Sequence, residues 1–229
     1  ATWHNRKLAR GALAGNRFKL TLRELIGDIT ELEQSLQSIK THGVPNYFGE
    51  QRFGQEQGNV EKALGMFKGQ RVDRAKRSIY LSAARSYIFN HILAKRVQQA
   101  NWNQALAGEV WMLEGTKSIF GPEEFSDELA QRLSALDIHP TGAMWGTGEL
   151  RSQESVAELE NKIAEQFPEL CAGLAKADLR QERRALRLLA KNIDWQFLSG
   201  DVLQLSFELP PGAYATSVLA ELGEFNCLH

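Results

Sequence analysis

Residues 42–54 read HGVPNYFGEQRFG. Tyr47, Phe48 and Phe53 offer flat aromatic faces, and Arg52 offers a permanent cation. Asn46, Gln51 and, just beyond, Gln55 add amides that both donate and accept hydrogen bonds. Aromatic faces beside a guanidinium can hold a stacked base and its phosphate. The same residues could equally plug a connection onto a hydrophobic core, and the pattern alone favours that plainer reading. Gly43, Gly49 and Gly54 allow backbone angles or close approaches that a Cβ would forbid. Pro45 pushes Val44 toward extended backbone and blocks a helix through the stretch.

Other chemistries find no support. The five histidines (His4, His42, His91, His139 and His229) are scattered, and none has a partner at metal-ligand spacing. The chain contains no Walker A loop, G-x-G-x-x-G, H-E-x-x-H or G-x-S-x-G pattern. Its two cysteines, Cys171 and Cys227, lie far apart and read as free thiols in a reducing compartment. No metal is expected, and the cytoplasm is the expected location.

The 229 residues are 43% apolar and 24% charged, as in an ordinary globular protein of one or two domains. No apolar run approaches a membrane span. The first residues, ATWHNRKLARG, are polar and basic, which argues against a leader. Net charge is -1, but it is unevenly spread. Residues 1–23 carry six basic side chains and no acid, and residues 68–77 carry five against Asp73 alone. Two basic segments on an otherwise acidic chain suit local phosphate contacts, although charge also clusters by chance.

Several elements must position these groups. Phe18, Leu20 and Leu22 alternate with Lys19, Thr21 and Arg23, which predicts a strand over 16–25. Residues 2–9 could supply a partner strand. Asp28-x-x-Glu31 reads as a capping box for a helix ending near His42, with Gly43 as its stop. Asn59 is the expected cap of a short helix carrying Val60, Leu64 and Phe67. A long helix over about 74–100 has apolar positions on more than one face, so it should be central and buried. Ser82, Arg85, Ser86 and Asn90 on it read either as ordinary surface polarity or as a stripe facing RNA. Short strands are expected at 110–113 and 117–120, a helix over 122–136, a glycine- and aromatic-rich loop over 138–150 and a helix over 152–166. Residues 185–192 and 202–209 read as strands, and a helix over 214–222 follows Pro210-Pro211-Gly212.

Four segments together carry a resemblance. HGVPNYFGEQRFG is similar to the VPNYFG-x-QRFG motif of the TruD family of tRNA pseudouridine synthases. Arg6–Glu24 (RKLARGALAGNRFKLTLRE), Lys76–Asn90 (KRSIYLSAARSYIFN) and Leu209–Leu222 (LPPGAYATSVLAEL) resemble further motifs of that family, in the same order. The resemblance implies an isomerase without a cofactor. Such an enzyme detaches uracil from its ribose, turns the base and rejoins it through carbon, at U13 in the D-arm region of tRNA. The reaction needs a carboxylate near the ribose as nucleophile or base, an aromatic platform for the free base and a pocket for a flipped nucleotide.

The resemblance also implies the α+β class. It implies a mostly antiparallel catalytic domain, partial here, over 1–42 and 189–229, with an inserted α/β domain over 43–188. Asn16 then matches an active-site asparagine, Phe18 a base-stacking aromatic and Tyr214 a pocket phenylalanine. Arg6, Lys7, Arg10, Asn46, Tyr47 and Arg52 become candidate RNA contacts. The family's aspartate lies in a G-x-K-D pattern, and none of the seven aspartates here is preceded by Gly-x-Lys. The expectations are therefore a C-terminal portion that binds tRNA, is inactive alone, and is a monomer only at full length. The alternative is an RNA-binding module with no catalytic role. Loss of half the catalytic sheet should leave an unpaired edge and apolar surface. Size-exclusion chromatography of the isolated chain should then show association, and a monodisperse monomer would contradict this.

Overall fold

The computed structural model describes residues 14–225. In chain order the elements are β1 (Asn16–Leu22), α1 (Ile29–His42), β2 (Val44–Pro45), α2 (Gly58–Phe67) and α3 (Arg74–Gln98). There follow β3 (Trp111–Leu113), β4 (Ile119–Phe120), α4 (Asp127–Ser134), β5 (Ile138–Met144), α5 (Glu154–Ala164) and α6 (Pro168–Lys176). The series ends with β6 (Glu182–Ala185), β7 (Arg187–Leu188), β8 (Lys191–Ser199), β9 (Val202–Leu209) and α7 (Ala215–Leu219). The architecture is mixed α+β, and its three- and four-stranded sheets are antiparallel throughout. No described helix is long and apolar enough to cross a membrane. The described chain forms two compact units, residues 14–44 with 189–225, and residues 45–188.

The first unit is built on a sheet of order β1-β9-β8. β9 alternates strictly: Leu203, Leu205, Phe207 and Leu209 are buried, and their neighbours are only partly so. That period-two pattern fixes which face packs inward. β1 runs antiparallel to it, with Asn16 opposite Leu209 and Phe18 opposite Phe207. On the other face, Glu208 accepts from Arg17 Nε at 2.8 Å and from Asn192 Nδ2 at 3.0 Å, so it links both neighbouring strands. These bonds, Arg17 first, hold the Glu208 carboxyl below the ordinary carboxylate range. The pair is solvent-exposed and adds little stability. α1 begins as expected at Asp28, whose Oδ1 accepts from the Thr30 N–H at 2.7 Å. It ends at Gly43 with φ of +74°, whose N–H donates to the Ile39 carbonyl.

The second unit holds the sheet β4-β3-β5-β6, with α3 packed on β5. β5 corrects the expectation of a loop over 138–150. Six of its seven residues are buried, so the strand shows no alternation, and Pro140 and Gly142 make it look like a turn. A Cβ at Gly142 would stand 3.0 Å from both Leu186 and Phe89, so a side chain there would crowd α3 off the sheet. Other expectations shift. The 122–136 helix is shorter and starts after the Ser126 cap. Asn59 lies inside α2 rather than capping it. The stretch 185–192 contributes to β6, β7 and the start of β8, and α6 was not foreseen. The suggested strand over 2–9 lies outside the described residues.

Charges are buried here in satisfied sets. Glu160 is fully buried, and its carboxylate accepts four bonds. They come from Ala143 N–H at 2.9 Å, Ser152 Oγ at 2.6 Å and Arg183 Nη1 and Nη2 at 3.0 and 2.7 Å. Arg96 at the end of α3 donates to Glu109 at 2.9 Å and to the Asn101 and Gln104 carbonyls. Burial pushes the Glu109 carboxyl upward, and Arg96 opposes that shift. Arg187 donates to His139 Nδ1 at 2.8 Å, while His139 Nε2 lies 2.8 Å from Glu114. Such sets fix one geometry because removing one partner strands the other in a dry interior. Glu160→Ala should therefore cost about 3–5 kcal/mol in urea unfolding of this unit, leaving the Arg183 charge uncompensated. A loss below about 1 kcal/mol would show that the pair is dispensable.

Candidate functional site

The candidate residues fall into both units. In the first, Gly15 precedes β1, and a Cβ there would lie 2.6 Å from the Leu209 carbonyl oxygen. Only glycine lets the backbone come this close. The close approach sets Asn16, exposed on β1, beside the end of β9 and the Pro210-Pro211-Gly212 turn. Phe18 is half-buried, its ring stacked on Phe207 with centroids 5.3 Å apart and planes 27° apart. Phe207 is a core residue, so the stack braces Phe18 from below and leaves part of its ring accessible. Gly212 has φ of +83° and closes the turn, and the Ala213 N–H donates to the Pro210 carbonyl at 3.2 Å. Tyr214 then stands half-buried at the cap position of α7. The β1–β9 register thus sets Asn16 opposite Leu209 and Phe18 opposite Phe207, on the strand that leads into the turn before Tyr214. An exposed amide two residues from a braced, partly accessible aromatic ring can meet a flat heterocycle with hydrogen-bonding edges.

In the second unit the 45–54 loop is clamped rather than free. The Asn46 N–H donates to the Leu186 carbonyl at 2.8 Å, and its Nδ2 to the Ala185 carbonyl at 2.8 Å. Its Oδ1 accepts from Arg184 Nη2 at 2.6 Å. Asn46 is buried with its amide used internally, so this candidate RNA contact acts instead as a fastening for the loop. Asn90 of α3 accepts from the Phe48 N–H and donates to the Phe48 carbonyl, both at 2.9 Å. The Phe48 ring meets Phe89 edge-on at 5.5 Å, with the Arg184 guanidinium 4.0 Å and that of Arg52 5.3 Å from its centre. Arg52 donates to Ser82 Oγ at 2.7 Å, and Phe53 packs against Tyr87. Tyr47 and Arg52 are half-buried, so each keeps some exposed surface.

The polar stripe of α3 is accounted for in the same way. Ser82 and Asn90 hold the loop, and Ser86 is fully buried. Arg85 donates to the Met144 and Arg180 carbonyls and pairs with Glu182. Three of the four side chains are internal fastenings, whereas the buried Ser86 Oγ has no hydrogen-bond partner among the described residues. Sequence reasoning missed Arg184, which holds Asn46 and Phe48 from 138 residues away. Its only trace was a basic pair in the ERRA segment of β6. Arg6, Lys7 and Arg10 lie outside the described residues. All seven aspartates are described and exposed. Among them Asp28 shows a lowered pKa, caused mainly by the Thr30 backbone bond.

The four segments that carry the resemblance resolve into two pairs. The first and last meet across β1 and β9, and the middle two meet where the 45–54 loop docks on α3. The described chain is thus of the antiparallel α+β class, with these segments paired within each unit. The family model described as "tRNA pseudouridine synthase D (TruD)" matches residues 1–69 and 58–222, and the chain belongs to that family. It is 49% identical to tRNA pseudouridine synthase D of Xanthomonas axonopodis pv. citri, over 98% of this chain and 65% of the relative. It is 50% identical to that of Aeromonas salmonicida, over 96% of this chain and 62% of the relative. The chain thus spans less than two thirds of the length of the curated relatives it matches. A crystal structure titled as TruD from Methanosarcina mazei shares the fold at a TM-score of 0.66 and 21% identity, over 94% of this chain and 70% of that one.

Asn90→Ala should release the loop from α3. Removing both Phe48 bonds should cost about 1–3 kcal/mol and speed hydrogen exchange at 46–53, while the sheet amides of β5 stay protected. Unchanged exchange at Phe48 would show that the loop is held by other contacts.

Proposed function

We propose that the protein is a tRNA pseudouridine synthase portion that binds tRNA and receives a D-arm uridine, U13, at the Asn16–Phe18–Tyr214 cluster. The observation that carries this reading is the β1–β9 register, which sets an amide and a braced aromatic ring beside the Leu209–Tyr214 turn. Phe18 is the stacking platform, Asn16 offers an amide to the base or ribose, and Tyr214 flanks the base with a flat face and a hydroxyl. Tyr47 and Arg52 remain the RNA-contacting members of the 45–54 loop, and Arg6, Lys7 and Arg10 provide further phosphate contacts. Residues 1–42 and 189–229 form part of a catalytic domain into which 43–188 is inserted. The two compact units, which divide after Val44 and after Leu188, support this assignment. β1 has one strand neighbour among the described residues, as a sheet continued elsewhere would have. The full-length protein is read as a cytoplasmic monomer.

None of the seven aspartates follows Gly-x-Lys, and each is exposed at a helix start, loop, turn or outward strand position. A reacting carboxylate normally works from a shielded cleft where its proton affinity can be tuned. The 229-residue chain by itself should therefore bind unmodified tRNA but form no pseudouridine. Filter binding over a salt series should give a linear fall of log K with log salt. Phe18→Ala and Tyr214→Ala should each weaken binding by about 1–3 kcal/mol, the scale of one lost base stack, while Tyr214→Phe should bind like the parent. Salt-independent or absent binding would overturn the reading, and pseudouridine formed by this chain would overturn its catalytic half.

A further inference from the structure

A cavity of about 730 Å³ opens in the second unit between the end of α2 and the start of α3. Its lining includes Gln70, Arg71, Asp73, Lys76, Arg77 and Tyr80. Arg71, Lys76 and Arg77 are exposed, and none makes an ion pair or side-chain hydrogen bond within the described residues. Asp73 is the sole acid in the lining, and its side chain makes no capping bond. Three cations against one acid leave the lining net positive.

The placement of these cations runs against local helix physics. α3 has 25 residues, and its first turn contains no acid. Arg74, Lys76 and Arg77 instead put positive charge at the end where the backbone dipole is already positive. Asp73 at the cap position is the one acid at this helix end among the described residues, and its side chain makes no capping bond; cations placed against a local rule cluster at functional positions. An anion in the cavity would meet the side-chain cations and the helix end together. The cations are exposed and spread around a wide opening, not converging in a closed pocket. That suits a passing polyanionic strand better than a small free anion.

We propose that this cavity is a phosphate subsite for the sugar–phosphate backbone of RNA, separate from the 45–54 loop and from the Asn16–Phe18–Tyr214 cluster. The inference rests on the tRNA-binding reading above. It places a phosphodiester contact on Arg71, Lys76 and Arg77, where it contributes affinity and register without reading sequence.

The test compares the protein with Arg71→Gln, Lys76→Gln and Arg77→Gln, singly and combined. Lys117→Gln with Lys162→Gln serves as a surface-charge control. Each is titrated with unmodified tRNA transcript at several salt concentrations. Each single change should lower the slope of log K against log salt by about one unit, and the triple change by about two to three. At physiological salt the triple variant should bind at least about tenfold more weakly. All three side chains are exposed, and matching thermal melts for variant and parent confirm that folding is intact. A triple variant whose slope changes per charge no more than the control overturns the subsite while tRNA binding by the parent stands. A parent that shows no salt-dependent binding removes the underlying reading as well, and its own curve reveals this. Inorganic phosphate competing with tRNA at micromolar concentration would instead mark a small-anion pocket and overturn the backbone assignment.

Discussion

The antiparallel pairing of β1 with β9 is the constraint on which the candidate site depends. Asn16 faces Leu209 and Phe18 faces Phe207, so one register aligns the GNRF segment with the start of the LPPGAY turn. A one-residue slip would turn Phe18 off Phe207 and send Arg17 into the core face, away from Glu208. Two physical features resist that slip. Leu203, Leu205, Phe207 and Leu209 bury one face, and each such side chain gains roughly 1.5–3 kcal/mol by leaving water. Gly15 then permits the close crossing at the Leu209 carbonyl that a larger residue would block.

The second unit reaches rigidity by a different route. Its sheet is short-stranded, and much of its order comes from buried arginines that hold backbone carbonyls and carboxylates in fixed places. Arg96 and Arg187 are buried, as is the side chain of Arg183, and each is answered by a carboxylate or imidazole and by main-chain oxygens. Arg184 extends the same device to the 45–54 loop, joining Asn46 and Phe48 to β6. The glycine-rich loop is thus a fixed surface presented by α3. A surface of that kind suits a partner that is itself structured, because little ordering entropy remains to be lost on binding.

The sequence reveals strands whose environment is one-sided and hides a strand buried on both faces. β1 and β9 alternate because one face is solvated, and α3 was recognisable because its apolar positions spread around the helix. β5 escaped because both of its faces are buried and because Gly142 stands where Phe89 and Leu186 leave no room for a side chain. β8 was obscured by register shifts after Lys191 and after Phe197, with Asn192 at φ of +51°. α6 was hidden by Pro168, which reads as a breaker but sits in the first helical turn where its missing N–H costs nothing. The candidates Phe18 and Tyr214 were legible through their motifs. The fastening roles of Asn46 and Asn90 were not, because their partners are distant in sequence and follow no spacing rule.

The central claim is that the segments around Phe18 and Tyr214 form a uridine-receiving surface. Photo-crosslinking of a tRNA carrying 4-thiouridine at the D-arm position, followed by mass spectrometry of the attached peptide, tests it most directly. The account predicts crosslinks on the peptides containing Phe18 and Tyr214. Crosslinks confined to other parts of the chain, with both of those peptides recovered unmodified, would contradict it.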